Sequence, residues 1–201
     1  VITGALYLSG GEITLDGVNI STWPPHKIAT AGVGRTFQAI KIFPHLTVLQ
    51  NIMAGAVCPV ALNIQGHEER TFKLLYEFGL EDYAYQAAGK LPYGLQRTLE
   101  ISRSVAADPQ FLMLDEPAAG MIHQETEVLV NVLRKLSADH DIGLLVVDHD
   151  LHMIMRLCDR VVVLNEGRVI ASGSPEEVRN DPGVIEAYIG KKHEEGGTAG
   201  G

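Results

Sequence analysis

The chain has 201 residues, 46% of them apolar and 20% charged. That is ordinary globular usage at a length that suits one domain with room for an inserted subdomain, and it excludes a disordered, collagen-like or disulfide-framework chain. With 25 acidic and 16 basic side chains the formal net charge is −9, which argues against a broad basic footprint for nucleic acid but leaves room for a local basic patch. Cys58 and Cys158 lie far apart without metal-ligand spacing and read as small apolar residues in a reducing compartment. No apolar run approaches the roughly 18 residues needed to span a bilayer, and no signal peptide opens the chain. Val1 rather than Met comes first, so a start within a longer protein is expected.

In chain order, Glu12 to Ile20 alternates apolar and polar residues around Asp16-Gly17, a hairpin signal. Pro24 or Pro25 can start a short helix, and Val33 to Phe37 reads as a strand. From Pro44 to about Pro92 the pattern turns helical. Thr47 caps a helix through Val57, a second helix from Glu68 to Phe78 carries Phe72, Leu75 and Phe78, and a polar, Ala-rich stretch runs from Glu81 to Lys90. A helix from Gly94 to Ala107 then presents Leu95, Leu99 and Val105. Phe111 to Leu114 and Gly143 to Val147 read as strands buried on both faces. The helix between them, Glu125 to Leu136, has a stripe of Val128, Leu129, Val132, Leu133 and Leu136. Strand, helix, strand at this spacing predicts a right-handed crossover and parallel pairing. Val161–Leu164 and Arg168–Ala171 flank a second hairpin turn. Ser174-Pro175-Glu176-Glu177 is a capping box that opens a helix, and the Gly-rich tail from Lys191 is expected to be disordered.

Four short segments carry chemistry. Asp115 and Glu116 end an apolar strand at the edge where open α/β sheets bind ligands; one carboxylate suits Mg²⁺ and the next can polarise a water. Asp148-His149-Asp150 ends the next predicted strand. Leu91 to Arg97 leads through Gly94 into a helix N-terminus, which suits an anion. Arg35-Thr36-Phe37-Gln38 ends a strand with a side-chain amide. Taken singly, each has a plain alternative: a strand leaving the core, a surface histidine, an ordinary Pro-Gly loop, an uninformative glutamine.

In this order the four resemble the nucleotide-binding domain of ABC ATPases, over about residues 1–190. The resemblance implies an α/β, P-loop NTPase-like fold with an inserted all-helical subdomain, here incomplete. The core would span 1–43 and 107–190 and the helical subdomain 44–106, with 191–201 as a tail. It makes Glu116 the general base and His149 the switch histidine. Asp115 and Gln38 would serve Mg²⁺, and Gly94, Leu95 and Gln96 would face ATP from the signature loop. Arg35–Gln38, Phe43–Ile52, Leu91–Gly94, Asp115–Met121 and Asp181–Gly190 are similar to the ATPases of branched-chain amino acid uptake. Implied partners are a second ATPase subunit, identical or different, and integral-membrane permease subunits, at the cytoplasmic face of the bacterial inner membrane. No nucleic-acid partner is implied. The ATPase of lipopolysaccharide export has a related C-terminal helix and stands as the alternative substrate branch.

The chain departs from the family in two places. The phosphate-cradling pattern Gly-x-x-x-x-Gly-Lys-Ser/Thr does not occur in these residues. Two expectations follow from that: a piece of an intact ATPase, or a catalytically incompetent or regulatory module that offers Gly94 to a partner's ATP. In the signature loop, Pro92 and Tyr93 replace Ser and Gly, and Leu95 replaces Gln, which removes a polar contact.

Overall fold

The structure, a computed structural model, describes residues 1–56 and 67–187. Val57, Cys58, and the tail from Lys191 onward lie outside the described residues. The chain forms two compact units, 1–148 and 149 onward.

In the first unit, β1 (Thr14–Leu15) and β2 (Val18–Asn19) pair antiparallel. Asp16 and Gly17 both take positive φ (50° and 77°), the backbone that a tight two-residue hairpin requires. Helix α1 (Pro25–Thr30) starts at a proline and buries Ile28 against Ile20 and Val33. The central sheet has three parallel strands in the order β3 (Val33–Arg35), β4 (Phe111–Asp115) and β5 (Gly143–Val147). Its register sets Arg35 beside Met113 and Asp115 beside Val147.

Two strand expectations are corrected. In β4 only Leu112 and Leu114 are fully buried, and Phe111 is 42% exposed. In β5, Leu145 and Val147 are exposed. Leu145 and Val147 stand two residues apart and so share one face of β5, which among the described residues is the last strand of this sheet.

Between β3 and β4 the helical block contains α2 (Val48–Ala56), α3 (His67–Glu77) and α4 (Tyr93–Ala106). Thr47 and Gln50 cap α2 reciprocally: the Gln50 N–H donates to Thr47 Oγ1 at 3.1 Å and the Thr47 N–H to Gln50 Oε1 at 2.9 Å. The buried face of α3 holds Thr71, Leu74 and Leu75, followed by Phe78, whereas Phe72 faces out. Leu75 and Phe78 of the expected stripe lie on that face, and Thr71, one residue or about 100° from Phe72, takes the third place. The stretch from Glu81 to Lys90 is two short 3₁₀ turns, Glu81–Tyr83 and Ala88–Lys90, rather than a third helix. Helix α5 (His123–His140) is longer than expected and buries Thr126, Leu129, Val130, Leu133 and Leu136, while Val128 is exposed. His140 in its last turn lies 3.0 Å from Glu77 of α3.

The second unit has α6 (Leu151–Leu157), the antiparallel hairpin β6 (Val161–Asn165) and β7 (Arg168–Gly173), and α7 (Pro175–Arg179). Asp150 caps α6 by accepting the His152 N–H at 2.9 Å and the Met153 N–H at 3.3 Å. Ser174 and Glu177 form the expected capping box on α7. Cys158 is half-buried, and burial, helped by the charge of Asp159, pushes its thiol above the ordinary value. No helix among the described residues is long and apolar enough to cross a membrane.

Candidate functional site

The parallel register brings the C-terminal ends of β3 and β4 to one rim of the sheet. Glu116, the first residue past β4, takes φ +46°, and its N–H donates to Val147 O at 2.8 Å. A left-handed backbone costs a non-glycine residue roughly 1–2 kcal/mol, and such strain tends to mark functional positions. Here it turns the carboxylate off the strand axis toward the segment after β3. Gln38 meets it there, its Nε2 donating to Glu116 Oε2 at 2.9 Å. Beside them, Arg35 Nη2 donates to Asp115 Oδ2 at 3.3 Å, and its Nη1 donates to Thr3 Oγ1 at 3.0 Å.

The oxygens in this cluster fit a small divalent cation. The bonds to Glu116 and Arg35 use Gln38 Nε2 and Asp115 Oδ2, which leaves Gln38 Oε1 and Asp115 Oδ1 as hard donors of the kind Mg²⁺ prefers. The Arg35 guanidinium beside Asp115 would compete with such a cation for the same carboxylate.

The signature segment packs against the start of α5. A β-carbon built on Gly94 would lie 2.6 Å from Glu125 Oε1, so only glycine fits without displacing that carboxylate. Gly120, at φ +78°, lies against Tyr93; a β-carbon there would meet the ring at 2.9 Å. Gln96 is turned back, its Nε2 donating to Leu91 O at 2.8 Å, which ties the loop to its own helix. Leu95 is half-buried. His149 opens the second unit, two residues past the end of β5, and is exposed. Among the sequence-predicted residues, Gln38, Asp115 and Glu116 therefore share the rim of the sheet, while Gly94, Leu95 and Gln96 share the first turn of α4.

Three charged residues with structural work here were not singled out from the letters. Arg35 pairs with Asp115. Arg97 and Glu100 are buried in α4, and they bind the backbone around Gln38. A signal for Arg97 exists in the chain, because it falls in one i, i+4 series with Ile101 and Val105, the face turned to the core.

Comparison with known proteins identifies the family. The ABC transporter family profile matches residues 1–119, and the profile of the branched-chain amino acid ATP-binding cassette transporters matches 168–194. The chain is 38% identical to the high-affinity branched-chain amino acid transport ATP-binding protein BraF of Pseudomonas aeruginosa, across 94% of this chain and 80% of that protein. Identity to LivG of Escherichia coli is 35% over the same shares. Identity to the lipopolysaccharide export ATP-binding protein LptB of Haemophilus influenzae is 33%, over 96% of this chain and 79% of that one. Among solved structures, the ATP-binding cassette MJ1267 in its ADP conformation superposes with a TM-score of 0.82 at 30% identity, covering 94% of this chain and 81% of that one. The chain belongs to the ABC transporter family of ATP-binding proteins, and within it is similar to the branched-chain amino acid branch.

Proposed function

We propose that the intact protein hydrolyses ATP to drive a membrane importer of branched-chain amino acids. The observation that carries this reading is the Gln38–Glu116 contact at the strand ends, 2.9 Å long. It joins a carboxylate able to take a proton from water to the amide of the segment that leads into the helical block.

In this reading Glu116 accepts the proton of the attacking water, and Gln38 holds its carboxylate in place. Asp115 and Gln38 would hold Mg²⁺, which when bound neutralises charge on the phosphates. His149 is assigned to the γ-phosphate by its motif position after β5. Gly94, Leu95 and Gln96, at the start of α4, face the ATP of a second ATPase subunit, identical or different. Closing the two subunits excludes water and strengthens every polar contact between them. The helical block, residues 44–106, inserted in a core of 1–43 and 107–190, transmits the change to permease subunits. That work belongs at the cytoplasmic face of the inner membrane. The similarity of the 168–194 segment to branched-chain amino acid transporters supports the substrate class.

The test is Mg-ATP turnover by the intact protein and its Glu116→Gln variant. The variant should keep ATP binding and lose about 10²-fold or more in turnover, the range of a general base. Undiminished turnover would remove Glu116 from that role.

A second reading rests on the sequence lacking a Gly-x-x-x-x-Gly-Lys-Ser/Thr loop within residues 1–201. Such a loop supplies a ring of N–H donors and a lysine to the phosphates. Residues 1–201 alone should bind ATP weakly, serving only as the half-site that completes a partner's pocket. Micromolar ATP binding by these residues alone would show another phosphate site.

A further inference from the structure

Among the described residues only two charged side chains are fully buried, Arg97 at 0% and Glu100 at 1% exposure, and both lie in the middle of α4. Their bonds point one way. Arg97 Nη1 donates to Phe37 O at 2.6 Å and to Glu100 Oε2 at 2.9 Å, and Nη2 donates to Gln38 O at 2.7 Å. Glu100 Oε1 accepts the Lys41 N–H at 2.9 Å. Three of these four bonds hold the backbone of residues 37–41. Arg97 Nε has no acceptor.

Stability does not account for such a pair. Taking two charges out of water costs several kcal/mol, and well-packed apolar residues in their place are often as stable or more so. An arginine with one buried N–H left unbonded adds to that cost. What apolar residues could not do is fix the orientation of a peptide segment through its carbonyls and N–H. The segment fixed here bears Gln38, whose side chain reaches Glu116. One turn earlier, the same helix begins with Tyr93 and Gly94.

We propose that Arg97 and Glu100 are positioning residues for Gln38. They fasten residues 37–41 to α4, so that any displacement of the signature helix carries Gln38 along with it, toward or away from Glu116. Occupancy of the first turn of α4 is thereby sensed at the general base. This inference rests on the ATPase reading above.

The test is a double-mutant cycle in the intact protein. Arg97→Met, Gln38→Ala and the double variant are compared for kcat and KM of ATP hydrolysis. Arg97→Met should lower kcat about tenfold, as a misplaced catalytic group does, with KM for ATP within about twofold. On the Gln38→Ala background it should cause no further loss. Arg97→Lys keeps the charge but not the two-pronged reach, and should recover part of kcat. Additive losses, or unchanged turnover in Arg97→Met, would overturn the proposal. If Arg97→Met does not fold, Arg97→Lys and Glu100→Gln enter the same cycle.

Amide exchange of Lys41 gives a second reading that needs no turnover. It should speed up about tenfold or more in Glu100→Leu, which removes the acceptor, while amides in the second half of α4 stay protected. Unchanged Lys41 exchange would also overturn the clamp. A wild-type protein without Mg-ATP turnover would instead sink the ATPase reading, and Lys41 exchange would still decide the clamp.

Discussion

Arg35 and Asp115 stand at the ends of neighbouring parallel strands, with Nη2 and Oδ2 3.3 Å apart. The pair is partly exposed, so its attraction is screened and modest. Its interest lies in competition, because Asp115 is also the carboxylate proposed to hold Mg²⁺. Removing the guanidinium should strengthen the local field for a divalent cation. In the intact protein, Arg35→Met should lower the Mg²⁺ concentration for half-maximal turnover by roughly two- to fivefold, the scale of one partly screened charge. A half-saturating concentration that stays the same or rises would show that Arg35 does not compete for Asp115.

Gly94 gives a packing prediction. A β-carbon there would lie 2.6 Å from Glu125 Oε1 and 2.8 Å from its Cδ, so Gly94→Ala must push the carboxylate aside. The atoms met are the end of a flexible side chain, so the displacement itself is cheap, and the cost is the bond that the carboxylate gives up, about 0.5–2 kcal/mol. The displaced group also accepts the Ile122 N–H at 3.0 Å, so the start of α5 should loosen as well. Gly94→Ala should lower Tm by a few degrees, and on the Glu125→Ala background it should cost little further. Thermal unfolding of the four proteins tests this, and strict additivity would mean that the clash relaxes elsewhere.

The sequence is legible where the chemistry is local. Asp16-Gly17 sets its hairpin through two positive φ angles, and Ser174 with Glu177 sets the start of α7 through bonds within four residues. The acidic pair at the end of β4 was legible because an apolar run that ends in carboxylates marks a strand leaving a sheet. The neighbours of a strand were not legible. Gly143–Val147 is as apolar as a central strand, and only the topology shows that it ends this sheet. In α3, counting apolar letters favours Phe72, although Thr71 lies on the face that packs. Arg97 and Glu100 were hidden for the opposite reason. Charged residues at helical spacing ordinarily describe a solvated surface, and only the path of residues 37–41 over α4 makes them interior. The Arg35–Asp115 pair is equally non-local, joining residues 80 apart in sequence.

Asn51 supplies a prediction for the loop that follows Gln38. It is fully buried in α2, its Oδ1 accepts the Phe43 N–H at 2.8 Å, and its Nδ2 donates to Phe43 O at 3.0 Å and Thr47 O at 2.9 Å. Asn51→Leu would strand the Phe43 N–H, whereas Phe43 O keeps the Leu46 N–H and Thr47 O keeps the N–H of residue 51 itself, so the cost is about 1–3 kcal/mol. For a protein of this size that is a fall in Tm of roughly 2–12 °C. Asn51→Asp keeps the acceptor for Phe43 N–H but turns a buried carboxylate oxygen toward the Phe43 and Thr47 carbonyls, so it should fall at least as far. An Asn51→Leu protein that melts with the wild type would show that water reaches the loop.

Glu177 allows a pH prediction with a definite sign. Its carboxylate accepts the Ser174 N–H at 2.7 Å and the Ser174 hydroxyl at 2.9 Å. The backbone bond first and the hydroxyl second hold its pKa below the ordinary carboxylate range. The folded state thus favours the ionised form, and the unfolded chain binds the proton more readily. The capping box is then fully present above the unfolded value of about 4.3, and is lost as pH falls through the depressed folded value. Glu177→Gln should therefore be less stable than wild type at neutral pH, and the gap in Tm should close steadily as pH falls below about 4. Because the carboxylate is fully exposed, added salt should narrow the gap at neutral pH as well. Melting curves of the two proteins between neutral and acid pH decide the matter: a gap independent of pH would mean that the neutral amide caps α7 as well as the carboxylate does.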